Sequence, residues 1–266
     1  MPQLKNPLEV YKLLPQTNCR QCRLQTCLAF SAAVVRGEMK LTDCPHLGPQ
    51  ITEKFADKVV PRSTFDQQRE THLAALREKI RTMDFSAAAE RLGGRIAGGK
   101  LAVKCLGKDF LVDPAGNVTS ECHTHAGLTI PLLSYISHSR GSAPAGKWVH
   151  FRELKNGAPM SALFRQRGEK PLKQLADNHP DLFEILLGLF SGTSAENIFS
   201  ADLSLILSPL PRVPVLICYW NAEEDLESKL NIFFDAAAED HLAVESIYEL
   251  GVGLVMMFEK IVHRHC

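Results

Sequence analysis

The sequence predicts an α+β protein in two parts: a small helical segment rich in cysteine, then a mixed domain with a mainly antiparallel sheet and several helices. Three observations lead there. Four of the eight cysteines, Cys19, Cys22, Cys27 and Cys44, fall within the first 44 residues. Alternating strand patterns follow one another through tight turns after Lys100, an antiparallel start that argues against a doubly wound sheet. Helical stretches are then grouped between strands, where βαβ units would alternate with them one for one.

In the first segment, Asn6 and Pro7 open a short helix through Leu14, because proline at an early helical position gives up an N–H that has no partner anyway. Pro15 stops it. Thr26 is placed to cap a second helix through Arg36, closed by Gly37, which puts Cys27 in that helix's first turn. There the free N–H groups and the positive end of the helix dipole favour an anionic group.

The cysteine intervals suit one inorganic cluster better than two disulfides. A zinc ribbon needs two short C-x2-C knuckles, and only Cys19–Cys22 forms one. Bacterial and plant-type ferredoxins space their ligands differently, since here the x2 interval precedes the x4 interval. A c-type haem site would need histidine at position 23, which is Arg23.

The run NPLEVYKLLPQTNCRQCRLQTCLAFSAAVVRGEMKLTDCP closely resembles the small [4Fe-4S] domain that opens the large subunit of corrinoid iron-sulfur proteins and also occurs in the B subunit of Rnf-type electron-transport complexes. The likeness covers the first fifth of the chain. It rests on the LLP-x-TNC approach, the C-x2-C-x4-C loop, the TCLAF helix start and the closing Cys44-Pro45. It implies that Cys19, Cys22, Cys27 and Cys44 together bind one [4Fe-4S] cluster. Relatives of this kind carry glycine after the first and second cysteines and proline before the Thr-Cys step, where this chain has Arg20, Arg23 and Gln25. Two readings of the arginines stand: solvated surface residues, or groups that tune the cluster or dock a partner.

Residues 48 to 82 read as a helical linker in which Ile51, Phe55 and Val59 recur at helical spacing before Pro61 and a charged run. The expected division is a cluster domain over 1–60, a linker over 61–83 and an α+β domain over 84–266. Within the last, the pattern predicts a helix from Phe85 to Leu92, strands from Lys100 to Cys105 and through Val112, and a turn at Asp113 to Gly116. Then come a helix from Leu128 to Ser139, a strand from Trp148 to Leu154 and three helical pieces between Met160 and Phe190. Strands from Leu203 to Leu207 and Val213 to Trp220 flank a proline-rich turn at Ser208 to Pro211, a hairpin partner spans Leu230 to Asp235, and a helix runs from Val244 to His263. The GKWVHF strand, the LPRVP segment and the acidic turn before FFD also resemble an uncharacterised bacterial domain found behind such iron-sulfur modules, to which no activity attaches.

Other candidates carry less. Cys122-His123-Thr124-His125 groups soft ligands, and His263-Arg264-His265-Cys266 ends the chain with two imidazoles and a thiol. A polar loop and a frayed tail are the favoured readings of the two. Cys105 and Cys218 lie in apolar strand patterns and read as core. No glycine pattern for phosphate, no Asp-x-His-x-x-Gly run for a corrinoid, and no hydrolase triad is present.

Net charge is zero, yet residues 1–48 carry six Lys/Arg against three Asp/Glu, and residues 221–249 carry nine acids against one lysine. That balance lowers the expectation of nucleic acid and favours an internal or protein–protein electrostatic contact; a protein redox partner is expected. The polar start lacks an export signal and the apolar stretches fall short of the ~20 residues a membrane span needs, so a cytoplasmic protein is expected. The resulting reading is an electron-transfer or redox-sensing accessory of anaerobic metabolism. Alternatives are an enzyme with its site in the α+β domain and the cluster as relay, or an interaction module with a structural cluster.

Overall fold

The computed structural model describes residues 4, 6–55, 65–121, 126–195, 198–224 and 226–265. The chain divides into two compact units, Met1–His72 and Leu73–Cys266. The α+β class holds: helices and antiparallel sheets make up the structure, with a small helical region first.

In the first unit, α1 (Pro7–Tyr11) begins at a capping box. Asn6 Oδ1 accepts the Leu8 N–H at 3.0 Å, and the Glu9 carboxylate accepts the Asn6 N–H at 3.3 Å. The helix ends at Tyr11, short of the expected Leu14, because Leu13 and Leu14 turn back through tighter bonds to Val10 and Tyr11 carbonyls. Next comes α2 (Cys27–Val35), capped by Thr26 Oγ1 on the Ala29 N–H at 3.0 Å and followed by Gly37 at φ +77°. A 3-10 turn at Leu41–Asp43 and α3 (Pro49–Phe55) complete a core around Val10, Leu14, Phe30, Val34 and Leu41. Val59 and Pro61 lie outside the described residues. The long helix α4 (Phe65–Arg81) carries the boundary between the units.

The second unit opens with α5 (Phe85–Leu92), capped by Asp84 Oδ1 on the Ser86 N–H at 2.8 Å and stopped by Gly93 at φ +69°. A four-stranded antiparallel meander follows in sequence order: β1 (Arg95–Ala97), β2 (Lys100–Cys105), β3 (Lys108–Val112) and β4 (Val118–Ser120). The β1–β2 turn is Gly98-Gly99, both at positive φ, the primed geometry that matches strand twist. After α6 (Ala126–His138) come β5 (Trp148–His150), α7 (Ser161–Phe164), a π-helical turn at Arg165–Glu169, α8 (Lys170–Asn178) and α9 (Leu182–Phe190). Then β6 (Thr193–Ser194), β7 (Leu203–Leu210), β8 (Val213–Trp220) and β9 (Lys229–Asp235) join β5 in a second antiparallel sheet of order β5-β9-β8-β7-β6, before α10 (Val244–His265).

Strand β8 explains its own unbroken apolar run. Val215, Ile217 and Tyr219 face the main core with Phe234 and Phe258, while Leu216 and Cys218 face a smaller cluster with Phe233 and Ala195. Both faces are covered, so alternation disappears from the sequence. Helix α10 presses Ile247, Leu250, Leu254, Phe258 and Val262 into the main core. It approaches α6 so closely at Gly253 that a Cβ there would lie 2.7 Å from the Gly127 carbonyl oxygen.

Two further expectations need correction. The strand expected from Trp148 to Leu154 ends at His150, because the Glu153 carboxylate accepts the His150 N–H at 2.7 Å and closes a 3-10 turn. The turn expected at Ser208 to Pro211 starts later, since β7 runs on to Leu210 through an irregular register at 207–210. That irregularity removes Pro209 from the regular ladder it could not donate to.

Buried polar groups tie α6 to the segment after β9. Ser139 Oγ lies 2.7 Å from His241 Nδ1, and the Arg91 guanidinium donates to the Ser139 and Ile136 carbonyls. His241 is 1% exposed, and its Nε2 has no partner among the described residues. Burial pushes its pKa below the ordinary 6.5, against the opposing pull of Asp240. A histidine whose folded pKa is lowered supports the fold fully above its unfolded value and withdraws that support as pH falls through the folded one. Thermal unfolding of the second unit is therefore expected at progressively lower temperature once pH drops below 6.5. A His241→Gln variant should lose part of that pH slope, and an identical slope in both proteins would contradict the assignment.

Candidate metal centre

The loop between α1 and α2 is built from alternating backbone hands. Gln16, Asn18, Arg20 and Arg23 all adopt positive φ, at 58°, 52°, 62° and 64°. Asn18 pins the loop to the helix that follows, its Oδ1 accepting the Cys27 N–H at 2.8 Å. The Arg23 N–H closes a turn on the Arg20 carbonyl at 2.9 Å. Among the described residues, the remaining backbone N–H groups of residues 19–22 and 24–26 donate to no protein acceptor. Successive N–H groups in this kind of winding backbone form a concave anion site.

Cys44 arrives from the other side. It follows the Leu41–Asp43 turn, where Asp43 Oδ2 accepts the Lys40 N–H at 2.8 Å, and its own N–H bonds the Leu41 carbonyl at 3.3 Å. Cys19, Cys22, Cys27 and Cys44 then line one pocket that is partly open to solvent. Leu14, Leu24 and Phe30 supply apolar walls and Arg20 reaches its rim. The burial is graded: Cys27 and Cys44 are 7% exposed, Cys22 is half-buried and Cys19 is exposed. All four are free thiols.

This donor set fits a polynuclear thiolate cluster. Among the described residues, no three or more His, Cys, Asp or Glu side chains come together as a group that could hold a metal ion. The four thiols wall a pocket, and the surrounding N–H groups can stabilise the negative charge of thiolates and sulfide.

The other sequence candidates do not join this pocket. Cys122, His123, Thr124 and His125 lie outside the described residues, as do Cys266 and the side chains of His263, Arg264 and His265. Cys105 and Cys218 are 1% and 0% exposed in apolar clusters. Burial pushes the Cys218 thiol up to about 11 and the Cys105 thiol higher still, so neither supplies a thiolate near neutral pH. The acidic turn is solvated, with Glu223 and Leu226 bridged at 3.0 Å, and its Asp225 lies outside the described residues. Among the described residues, no helix is long and apolar enough to cross a membrane. Sequence reasoning missed Asn18 as a fastener of the loop, whose only signal was its place beside Cys19.

Comparison with known proteins finds matches to two separate stretches of the chain. A family model described as “Putative Fe-S cluster” matches residues 14–46, and one described as “Domain of unknown function (DUF3786)” matches residues 84–257. The chain is 49% identical over 57 residues to acetyl-CoA decarbonylase/synthase complex subunit gamma 2 of Methanosarcina mazei, covering 21% of this chain and 12% of the relative. The gamma subunits of Methanocaldococcus jannaschii and Methanopyrus kandleri are 35% and 39% identical over 60 and 54 residues, covering 23% and 20% of this chain. This chain spans only 12% of the length of those relatives. No solved structure matches it.

Proposed function

The chain belongs to the family described as “Domain of unknown function (DUF3786)”, and for it we propose an electron-transfer or redox-sensing role in which Cys19, Cys22, Cys27 and Cys44 hold one [4Fe-4S] cluster. The observation that carries this is the convergence of all four thiols on one pocket rimmed by free backbone N–H groups. Bound there, such a cluster supplies reversible one-electron exchange.

The chain's own residues divide the work. Cys27 and Cys44 hold the buried side, where Phe30 and Leu14 exclude water. Cys19 brings the other side to the surface, where an electron can pass to a partner. The loop N–H groups, aimed by Asn18 and by the positive-φ residues, hold negative charge on the sulfurs. The domain scheme of cluster domain (1–60), linker (61–83) and α+β domain (84–266) belongs to the same proposal. A protein partner is supported by the relatives, which are named as subunits of a complex.

Anaerobic purification followed by iron and acid-labile sulfide analysis is expected to give about four of each per chain. Electron paramagnetic resonance should show a new signal on reduction with dithionite. Zinc without sulfide would overturn the cofactor assignment, and a cluster that takes up no electron would reduce it to a structural staple.

A further inference from the structure

At the rim of the cysteine pocket we infer an interaction surface: Arg20 and Arg23 dock the acidic face of a one-electron carrier protein, an inference that rests on the electron-transfer reading above. Position comes first. Arg20 lines the same pocket as the four thiols, next to the exposed Cys19, and Arg23 follows Cys22. Both arginines are exposed.

Charge comes second. The three acids of residues 1–48 are engaged locally: Glu9 with the Asn6 N–H, Glu38 with Arg36 at 2.7 Å, and Asp43 with the Lys40 N–H. Arg20 and Arg23 have neither ion pair nor side-chain hydrogen bond among the described residues. No carboxylate among the described residues pairs with either guanidinium, which leaves their N–H donors available to the carboxylates of a partner.

Backbone conformation is the third observation. A residue with a Cβ at positive φ costs about 1 kcal/mol relative to glycine, and the loop bears that cost beside both Cys19 and Cys22. Glycine would satisfy the loop geometry, so the arginine side chains serve something other than the turn. A carrier seated there lies beside the exposed thiol and gives up one electron, which the chain's centre gains, with no bond made or broken.

Calorimetric titration of the full chain with two carriers of opposite surface charge, an acidic ferredoxin and a basic cytochrome c, tests the inference. The acidic carrier should bind, and its affinity should fall steeply as ionic strength rises through roughly 0.02 to 0.3 M. Arg20→Gly with Arg23→Gly should weaken it by about tenfold at low salt and flatten that slope, while Arg20→Lys with Arg23→Lys retains most of both. Iron and sulfide content should be the same in all three proteins. Equal affinity of the parent and the glycine variant would overturn the inference, as would preference for the basic carrier. So would tight binding that emerges only after Glu223, Glu224 and Glu227 are changed to glutamine, because the chain's own acidic turn would then be the occupant. Docking without a [4Fe-4S] cluster would defeat the cofactor reading alone, and an intact cluster without docking would defeat this inference alone.

Discussion

Cys27→Ser combined with Cys44→Ser is expected to remove the iron and sulfide and to unfold the first unit, leaving the second folded. The two thiols are 7% exposed and sit within a small core, in which ten side chains are buried among the described residues. A unit of that size gains little from apolar burial alone, and metal-binding free energy becomes folding free energy. Serine adds a second loss, since a buried hydroxyl without a partner costs about 1–3 kcal/mol. Cys19→Ser should be milder: that position is exposed, and a serine there meets solvent. Loss of far-UV circular dichroism reports the first unit. Fluorescence of Trp148 and Trp220, the only tryptophans and both in the second unit, reports whether that unit survives. A double variant that keeps stoichiometric iron would rule out these two cysteines as ligands.

The structure also shows which parts of the chain could be read in advance and why. Helix α5 and strand β2 begin and end where the sequence placed them, because Asp84 caps, Gly93 terminates and the strand pattern is local. Strand β1 carries no alternation, because none of its three residues is buried, and its one sequence signal is the Gly98-Gly99 turn at positive φ. Strand β5 stopped early because the His150 N–H donates to the Glu153 carboxylate, a side-chain choice that periodicity does not encode. The thiol spacing singled out four cysteines, and these four line one pocket. The resemblance flagged positions 20 and 23 as departures from glycine, and the backbone gives the physical content of that departure, φ of 62° and 64°. What stayed illegible were the long-range ties, such as the Ser139–His241 pair that joins residues 102 apart.

Asp235→Ala should be among the most damaging single changes in the second unit, with an expected loss of about 2–4 kcal/mol. Asp235 Oδ1 accepts the Ala237 N–H at 2.8 Å, at the head of a 3-10 turn. That is one of three bonds. Oδ1 also accepts the Ala145 N–H at 2.8 Å, and Oδ2 accepts the Gly146 N–H at 2.7 Å. The side chain is 0% exposed and ends β9 opposite Trp148, so this single carboxylate ties the loop entering β5 to the strand beside it. Alanine leaves the donors without their charged acceptor. The Ala145 and Gly146 N–H groups are near enough to the surface to recover water, which keeps the loss below three full buried bonds. Asp235→Asn should recover part of the stability, because an amide oxygen still accepts while its nitrogen faces an N–H it cannot satisfy. Urea unfolding followed by tryptophan fluorescence orders the three proteins as parent, asparagine variant, then alanine variant. Equal stability of the alanine variant and the parent would show that the loop is held by the Ala236 N–H to Lys147 carbonyl bond at 2.8 Å and the strand ladder alone.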